Sequence, residues 1–352
     1  MRVIQVMAGA SQGGAETAFE DISLALSAAG VDQKIILRNN NLERVQKFQD
    51  AGIPVETLPF GGAFDLYTRW KIKRIIADFK PQIVQTWMSR ATHKTPAADK
   101  QKQYLKVARL GGYYGLKYYK GTNFFISNTG DIRNYLIREG VDAEKVKVIH
   151  NFAIEETPDQ PLKKSDFGTP DSAIVLLSLA RYHQAKALDV LLKSVVGIEN
   201  VHVWLAGEGP QEADLKRLSD DLGIADRVHF LGWRRDRAAL FQAADICVFP
   251  SRFEPFGNVV VQAWAQKIPL ICSKSQGPLQ FVRDAEDALM FDVDNVDQLA
   301  SKIKELISDT GLCHRLVEAG YARYKNEFTR EKIVSDYISF YEDILGREGL
   351  PI

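Results

Sequence analysis

Several common features are missing from this chain of 352 residues, and each absence narrows what it can be. No apolar run approaches the ~20 residues that a membrane-spanning helix needs. The start, Arg2-Val-Ile-Gln-Val-Met7, reads as a strand and lacks the long apolar core of a signal peptide. Only three cysteines occur, Cys247, Cys272 and Cys313. Such an odd, scattered set argues against a disulfide framework and suits a reducing cytoplasm. The six histidines show neither HExxH nor Cys/His ligand spacing, so no metal site and no cofactor are expected. Neither a GxxxxGK[ST] phosphate loop nor a GxGxxG fingerprint is present. Basic and acidic residues balance at 45 each, and no nucleic-acid-binding motif is found, so nucleic acid is not an expected partner.

What is present has the organisation of an α/β protein. The length calls for two domains, since a single core rarely grows past ~250–300 residues. Residues 1–151 and 172–292 follow one plan: a buried-type strand, a Gly-containing or polar loop, an amphipathic helix, then alternating strands and helices. That alternation implies right-handed βαβ units and parallel sheets. In the first half, strands are expected at 3–7, 34–37, 55–58 and 83–86. Ala18, Ile22, Ala25, Leu26 and Ala29 share one helix face, with Gly30 as a left-handed cap. In the second half, strands are expected at 173–180, 201–206, 228–231, 246–249 and 289–291, with helices at 187–196 and 237–244. Residues 155–171 are polar, Pro-containing and aperiodic, the composition of a linker. The tail, 296–345, reads as helices alone. The expected domains are therefore 1–155, a linker at 156–171, 172–328, and a last helix at 329–352 crossing back to the first domain.

The chemistry concentrates in the second half. Ser251-Arg-Phe-Glu-Pro-Phe-Gly-Asn258 joins a strand to a helix start. The first turn of a helix has N–H groups without internal partners and attracts anions. Glu254 cannot bind phosphate, but its carboxylate can accept hydrogen bonds from sugar hydroxyls. Together they suit a ligand that is part phosphate and part sugar. Arg181 follows a buried strand and Lys186 opens the next helix, where two cations would clamp a diphosphate and stabilise it as a leaving group. In the first half, Ser11-Gln-Gly-Gly-Ala-Glu16 supplies Gly13 and Gly14, which let backbone approach a phosphate or sugar closely. Asp292-Val-Asp294 looks like a metal-binding DxD, but a polar turn with Asp294 or Asn295 capping the next helix is the better account.

Charge is unevenly spread. Residues 65–121 hold about thirteen Lys/Arg against three Asp, interleaved with tyrosines in Leu110-Gly-Gly-Tyr-Tyr-Gly-Leu-Lys-Tyr-Tyr-Lys120. The stretch suits an anionic membrane surface or an acidic acceptor as well as it suits an ordinary solvated face. His93, just after a first-half strand, is the most cleft-like histidine, and a structural role competes with a substrate contact.

Taken in order, Gly13-Gly14-Ala-Glu16, Ile149-His-Asn151, Arg181 to Lys186, Ala206-Gly-Glu-Gly-Pro210, Phe230-Leu-Gly-Trp233, Phe249-Pro-Ser251 and Glu254-Pro-Phe-Gly257 make the chain resemble the retaining GT-B glycosyltransferases of family four, in the glycogen-synthase-like superfamily. Trp87-Met-Ser-Arg90 and Ala108-Arg-Leu-Gly-Gly-Tyr-Tyr114 resemble members that build bacterial surface polysaccharide. The resemblance implies two Rossmann-like domains with parallel sheets facing a cleft. It implies a metal-independent hexosyltransferase that moves a sugar, with retention, from a UDP- or GDP-linked donor to a glycan or lipid-linked acceptor. Lipopolysaccharide, other surface polysaccharide or glycolipid would be the product. The enzyme would be cytoplasmic, with peripheral contact at the inner face of the membrane.

By the same resemblance, Arg181 and Lys186 hold the diphosphate and Glu254 the sugar hydroxyls. The backbone at Phe256, Gly257, Asn258 and Val259 meets phosphate and sugar. The loop at Gly232, Trp233 and Arg234 lies near the base, Gly207 and Gly13 belong to the donor-binding set, and Gly14 approaches the donor from the first domain. Arg90, His93, Tyr113 and Tyr114 fall on the acceptor side. Where the family signature has a second Glu, this chain has Gln262, which can accept a ribose hydroxyl without charge assistance. That departure leaves open a nucleotide-sugar-binding protein with little turnover. A sugar-nucleotide epimerase is the third reading.

Overall fold

The structure, a computed structural model, describes residues 1–11, 13–62, 64–98 and 104–351. Gln12 of the first Gly-rich loop, and Lys100 and Lys102 of the basic stretch, lie outside the described residues. The chain divides into two compact units, Met1–Phe152 with Arg330–Ile352, and Ala153–Thr329.

The first unit is built on seven parallel strands: β1 (Arg2–Met7), β2 (Asp32–Arg38), β3 (Val55–Leu58), β4 (Ile83–Trp87), β5 (Leu105–Leu110), β6 (Phe124–Ser127) and β7 (Val146–Val148). Their order is β3-β2-β1-β4-β5-β6-β7. The central strands are buried on both faces, as expected where helices cover a parallel sheet. One helix face, Ala18, Phe19, Ile22, Ala25 and Leu26 of Gly14–Ala28, packs into this core. Ala29 is exposed instead of sharing that face, because the helix stops at Ala28 and the chain turns through Gly30 at φ 88°. The last helix, Arg330–Arg347, buries Ile333, Tyr337, Tyr341, Ile344 and Leu345 in the same core. Tyr341 donates its hydroxyl hydrogen to Gln85 Oε1 at 2.7 Å.

The second unit has six parallel strands: β8 (Ile174–Leu179), β9 (Val201–Ala206), β10 (Val228–Phe230), β11 (Ile246–Phe249), β12 (Leu270–Ser273) and β13 (Leu289–Phe291), in the order β10-β9-β8-β11-β12-β13. The polar segment ahead of β8 is tied to this unit. Lys164 Nζ bonds Asp245 Oδ2 and the Ala173 carbonyl, each at 2.7 Å, and Phe167 packs edge-on to Trp204 with ring centres 4.8 Å apart.

Candidate functional site

In both sheets the unit's first strand lies between its second and a later one: β1 between β2 and β4, β8 between β9 and β11. The chain departs to opposite sides at that strand, and a crevice opens at the carboxyl ends of the flanking pair. Arg181, Lys186, Glu254 and the helix start at Gly257 lie on the two loops that leave the sheet at this point, while Gly207 follows β9 and Trp233 and Arg234 follow β10.

The loop after β8 runs through Arg181 to a short turn, Gln184–Lys186, before the helix Leu188–Ser194. The loop after β11 runs through Ser251 and Glu254 to Gly257 and the helix Asn258–Ala265. Backbone bonds join the two loops: the N–H groups of Arg252 and Phe253 donate to the Ala185 carbonyl at 2.8 and 3.2 Å. The Arg252 guanidinium reinforces them, holding Asp189 through two bonds of 2.9 and 2.8 Å and pairing with Asp294 at 2.5 Å. Across this junction Lys186 Nζ lies 2.5 Å from Glu254 Oε2, with the two side chains 25% and 16% exposed. Arg181, at the end of the same strand, is exposed and has no ion-pair partner among the described residues.

Glycine permits the close packing around this pair. A Cβ on Gly207 would fall 1.9 Å from the Ala180 carbonyl oxygen, and one on Gly209 would fall 2.3 Å from that of Tyr182. Both clash with backbone, so the loop after β9 can lie against the loop after β8 only with glycine there. Gly277 does the same beside the Glu254 loop: its Cβ would sit 2.3 Å from the Phe256 carbonyl oxygen, and its N–H donates to the Glu254 carbonyl at 2.7 Å. Gly257, at φ 99°, turns the chain into the helix Asn258–Ala265.

The remaining candidates differ in what they offer. Phe256 is buried among Phe281 and Phe328, which leaves only its backbone for a ligand. Val259 and Gln262 are half-buried, and the Gln262 amide has no hydrogen-bond partner among the described residues. Trp233 is 54% exposed, with its N–H 3.3 Å from Glu208 Oε1. Arg234 is already committed: it pairs with Asp236, holding that carboxyl below the usual carboxylate range, and lies 5.3 Å over the Phe167 ring. The Asp292–Asp294 pair is likewise occupied. Asp292 pairs with Lys274 at 3.0 Å and Asp294 with Arg252, while Asn295 caps the helix Val296–Ser308. Among the described residues no group of three or more His, Cys, Asp or Glu is arranged to hold a metal.

In the first unit, Gly13 precedes the helix Gly14–Ala28, and Glu16 of its first turn folds back beneath the loop. The buried Glu16 carboxylate accepts the Ala10 N–H at 2.7 Å, and a Cβ on Gly9 or Gly13 would fall 2.3 or 2.4 Å from it. These glycines therefore make room for Glu16, whatever else they approach. The helix Met88–Lys94, entered at Met88 with φ 64°, carries Arg90 and His93, both exposed. His93 stands edge-on to Tyr118, ring centres 5.7 Å apart. Tyr113 donates its phenol hydrogen to Asp131. Burial and that carboxylate push its pKa up, and burial does the same for Tyr114.

Sequence reasoning overlooked Gly209, Gly277 and the Arg252 bridge. The two glycines stand in loops already singled out or adjacent to them. The bridge joins residues 63 apart and leaves no local signal.

Comparison with known proteins identifies the class. The model for group 1 glycosyl transferases matches residues 159–323, and that for glycosyltransferase family 4 matches residues 12–155. Two curated relatives are lipopolysaccharide core biosynthesis glycosyltransferases of Rhizobium meliloti. LpsE is 31% identical over 93% of this chain and 95% of its own length, and LpsD 30% identical over 97% and 98%. Among solved structures, Anabaena Alr3699/HepE in complex with UDP superposes with a TM-score of 0.86 at 19% identity, over 97% of this chain and 100% of that one. The chain belongs to the family 4, group 1 glycosyltransferases and has their GT-B architecture of two Rossmann-like units. It is a glycosyltransferase of the hexosyltransferase class.

One buried cation supports the helix that carries Arg90 and His93. Lys106, 1% exposed, donates to the Thr92 and Thr95 carbonyls at 2.8 Å each. Burial, with Arg69 nearby, pulls its pKa down to about 8. Above that pH the unfolded chain keeps a proton that the folded chain has lost, so the Lys106 contribution to stability rises as pH increases toward 10. The full effect is about 3 kcal/mol. The thiols of Cys247 and Cys272, held protonated by burial, pull the overall slope the other way, so the readout is a difference: from pH 8 to 9.5 the stability of the wild type relative to Lys106→Met will increase in denaturant titrations, and a constant difference would contradict the assignment.

Proposed function

We propose that this enzyme transfers a sugar, with retention at the anomeric carbon, from a uridine-diphosphate sugar to an acceptor hydroxyl in the assembly of lipopolysaccharide core or a related surface glycan. The observation that carries this reading is the Lys186–Glu254 pair, a cation and an acid in contact at the β8–β11 crossover. Diphosphate and sugar are the two halves of such a donor. The lipopolysaccharide core role of the two Rhizobium relatives and the UDP held by the Anabaena protein point the same way.

In this mechanism Arg181 and Lys186 take the diphosphate oxygens, aided by the amides of Gly257, Asn258 and Val259 at the helix start. Glu254, released from Lys186, accepts hydrogen bonds from the sugar hydroxyls. Trp233, with the loop packed on Gly207, borders the base, and Gln262 accepts from the ribose. The bond from the anomeric carbon to the phosphate oxygen breaks as the acceptor oxygen attacks the same face. The acceptor proton passes to the departing phosphate oxygen. No metal ion is called on, because the two cations offset the charge that develops there.

The acceptor side falls to the first unit, at Arg90, His93 and Tyr114, with Tyr113 acting through its bond to Asp131. Peripheral contact with anionic lipid is part of the proposal. No helix among the described residues is long and apolar enough to cross a membrane. Phe64 is 98% exposed and Leu66 74%, beside the half-exposed Tyr67 and Trp70 and the cations Arg69, Lys73 and Arg74. Lys94 Nζ fixes this loop through the Gly62 and Asp65 carbonyls. Apolar side chains among cations match an anionic interface, where each basic residue contributes about 1 kcal/mol.

Two measurements test the reading. Lys186→Ala should lower kcat by about 10²–10³, as loss of one such donor does elsewhere, while the thermal midpoint stays within a few degrees. Unchanged turnover would contradict the clamp. Co-sedimentation with vesicles containing anionic phospholipid should fall several-fold in a Phe64→Ser, Trp70→Ser double variant and vanish with purely zwitterionic vesicles. Equal sedimentation of both proteins would remove the membrane contact from the account.

A further inference from the structure

One buried cation of the first unit has no acid to answer it. Arg109, at the carboxyl end of β5, is 2% exposed. Its Nε donates to the Tyr337 hydroxyl at 3.3 Å, one terminal nitrogen donates to Asn151 Oδ1, and the guanidinium lies 4.5 Å over the Trp87 ring. No carboxylate pairs with it, and Nη1 has no hydrogen-bond partner among the described residues. Asn128, 3% exposed at the end of neighbouring β6, is in the same condition: its Nδ2 has no partner there and its Oδ1 is buried unpaired. Nη1 and Nδ2 are not among the fully buried unpaired atoms, so both N–H groups are open to water or to a ligand oxygen, and an oxyanion would offset the desolvation of the guanidinium better than water does.

The space these donors border is kept open by a glycine. A Cβ built on Gly111 would lie 3.3 Å from Arg109 Nη1 and 3.6 Å from Asn128 Nδ2, with no other heavy atom beyond its chain neighbours within 4 Å. Gly111 itself is half-exposed, so the position can be reached from solvent. An oxygen placed there would meet a guanidinium N–H and an amide N–H together, the surroundings that charge-assisted bonds to an oxyanion require.

We propose that Arg109, Asn128 and the gap at Gly111 form a subsite for an anionic group of the acceptor, a phosphate or carboxylate carried near the hydroxyl that receives the sugar. The subsite rests on the transferase reading for its purpose, though not for its existence. It gives the first unit a means of selecting acceptors by charge, and it explains why β5 spends a buried arginine where an apolar residue would pack at less cost.

The test separates the two claims. Inorganic phosphate is titrated into the full chain by calorimetry with UDP saturating, so that the second unit's phosphate site is filled. Acetate is titrated in parallel. Phosphate binding alone identifies a phosphorylated acceptor, and binding of both ions a site that also takes carboxylates. Gly111→Ala puts a methyl group in the gap at a backbone conformation open to alanine. It should weaken anion binding at least tenfold and raise KM for the acceptor similarly, with kcat and UDP affinity kept. Asn128→Asp should abolish anion binding yet raise the thermal midpoint, because the new carboxylate pairs with Arg109. Absence of anion binding to the wild-type chain, or full binding by both variants, overturns the subsite. Loss of UDP binding by the wild-type chain would instead sink the donor reading and leave the anion result standing.

Discussion

A lysine and a glutamate in contact at the junction of two strand-end loops set the terms for everything else in this molecule. Lys186 and Glu254 are 68 residues apart in sequence, and only the β8–β11 neighbourhood brings them to 2.5 Å. Neither is fully buried, so the pair is of the half-screened kind, worth about 1 kcal/mol or less. A diphosphate carries more charge than one carboxylate and can take Lys186, Arg181 and helix-start amides at once. The pair is therefore strong enough to hold both side chains in place and weak enough to yield. In the proposed mechanism the donor separates them, leaving each available to the half that matches it, phosphate for the cation and hydroxyls for the acid.

Seating the neighbouring loops against these two is a backbone problem, and glycine solves it. Gly207, Gly209 and Gly277 each face a carbonyl or its neighbours at a distance no Cβ tolerates. The Arg252 guanidinium then ties the assembly to Asp189 and Asp294. The first unit uses similar means for another purpose: Gly9 and Gly13 close a loop around Glu16, and Gly111 leaves a gap beside Arg109. In the second unit Lys186 and Glu254 meet where the sheet's winding reverses, whereas Arg109 and Asn128 of the first unit lie at the ends of β5 and β6.

Much of this was legible from residue order alone. β3, β9, β11 and β13 fall on the expected residues, because short apolar runs bounded by Gly, Pro or polar clusters leave little freedom. Glu254, Lys186, Arg181 and Gly257 stood out because they follow such runs immediately. β5 and β6 were harder to see. Lys106 and Arg109 break the apolar pattern of β5, and they are buried because the Thr92 and Thr95 carbonyls, the Trp87 ring and, far along the chain, Tyr337 receive them. The Lys186–Glu254 contact, the Arg252 bridge and the capture of Glu16 depend on tertiary proximity that no local pattern encodes. Ala29 failed for the opposite reason: the helical period continued in the sequence after the helix had stopped.

The most direct test is a crystal structure of the enzyme with UDP or a UDP-sugar bound. The account predicts phosphate oxygens within hydrogen-bonding distance of Lys186 Nζ and the Gly257–Val259 amides, the Lys186–Glu254 contact broken, and Glu254 turned to the sugar. A nucleotide bound elsewhere, or bound with the 2.5 Å contact intact, would contradict it.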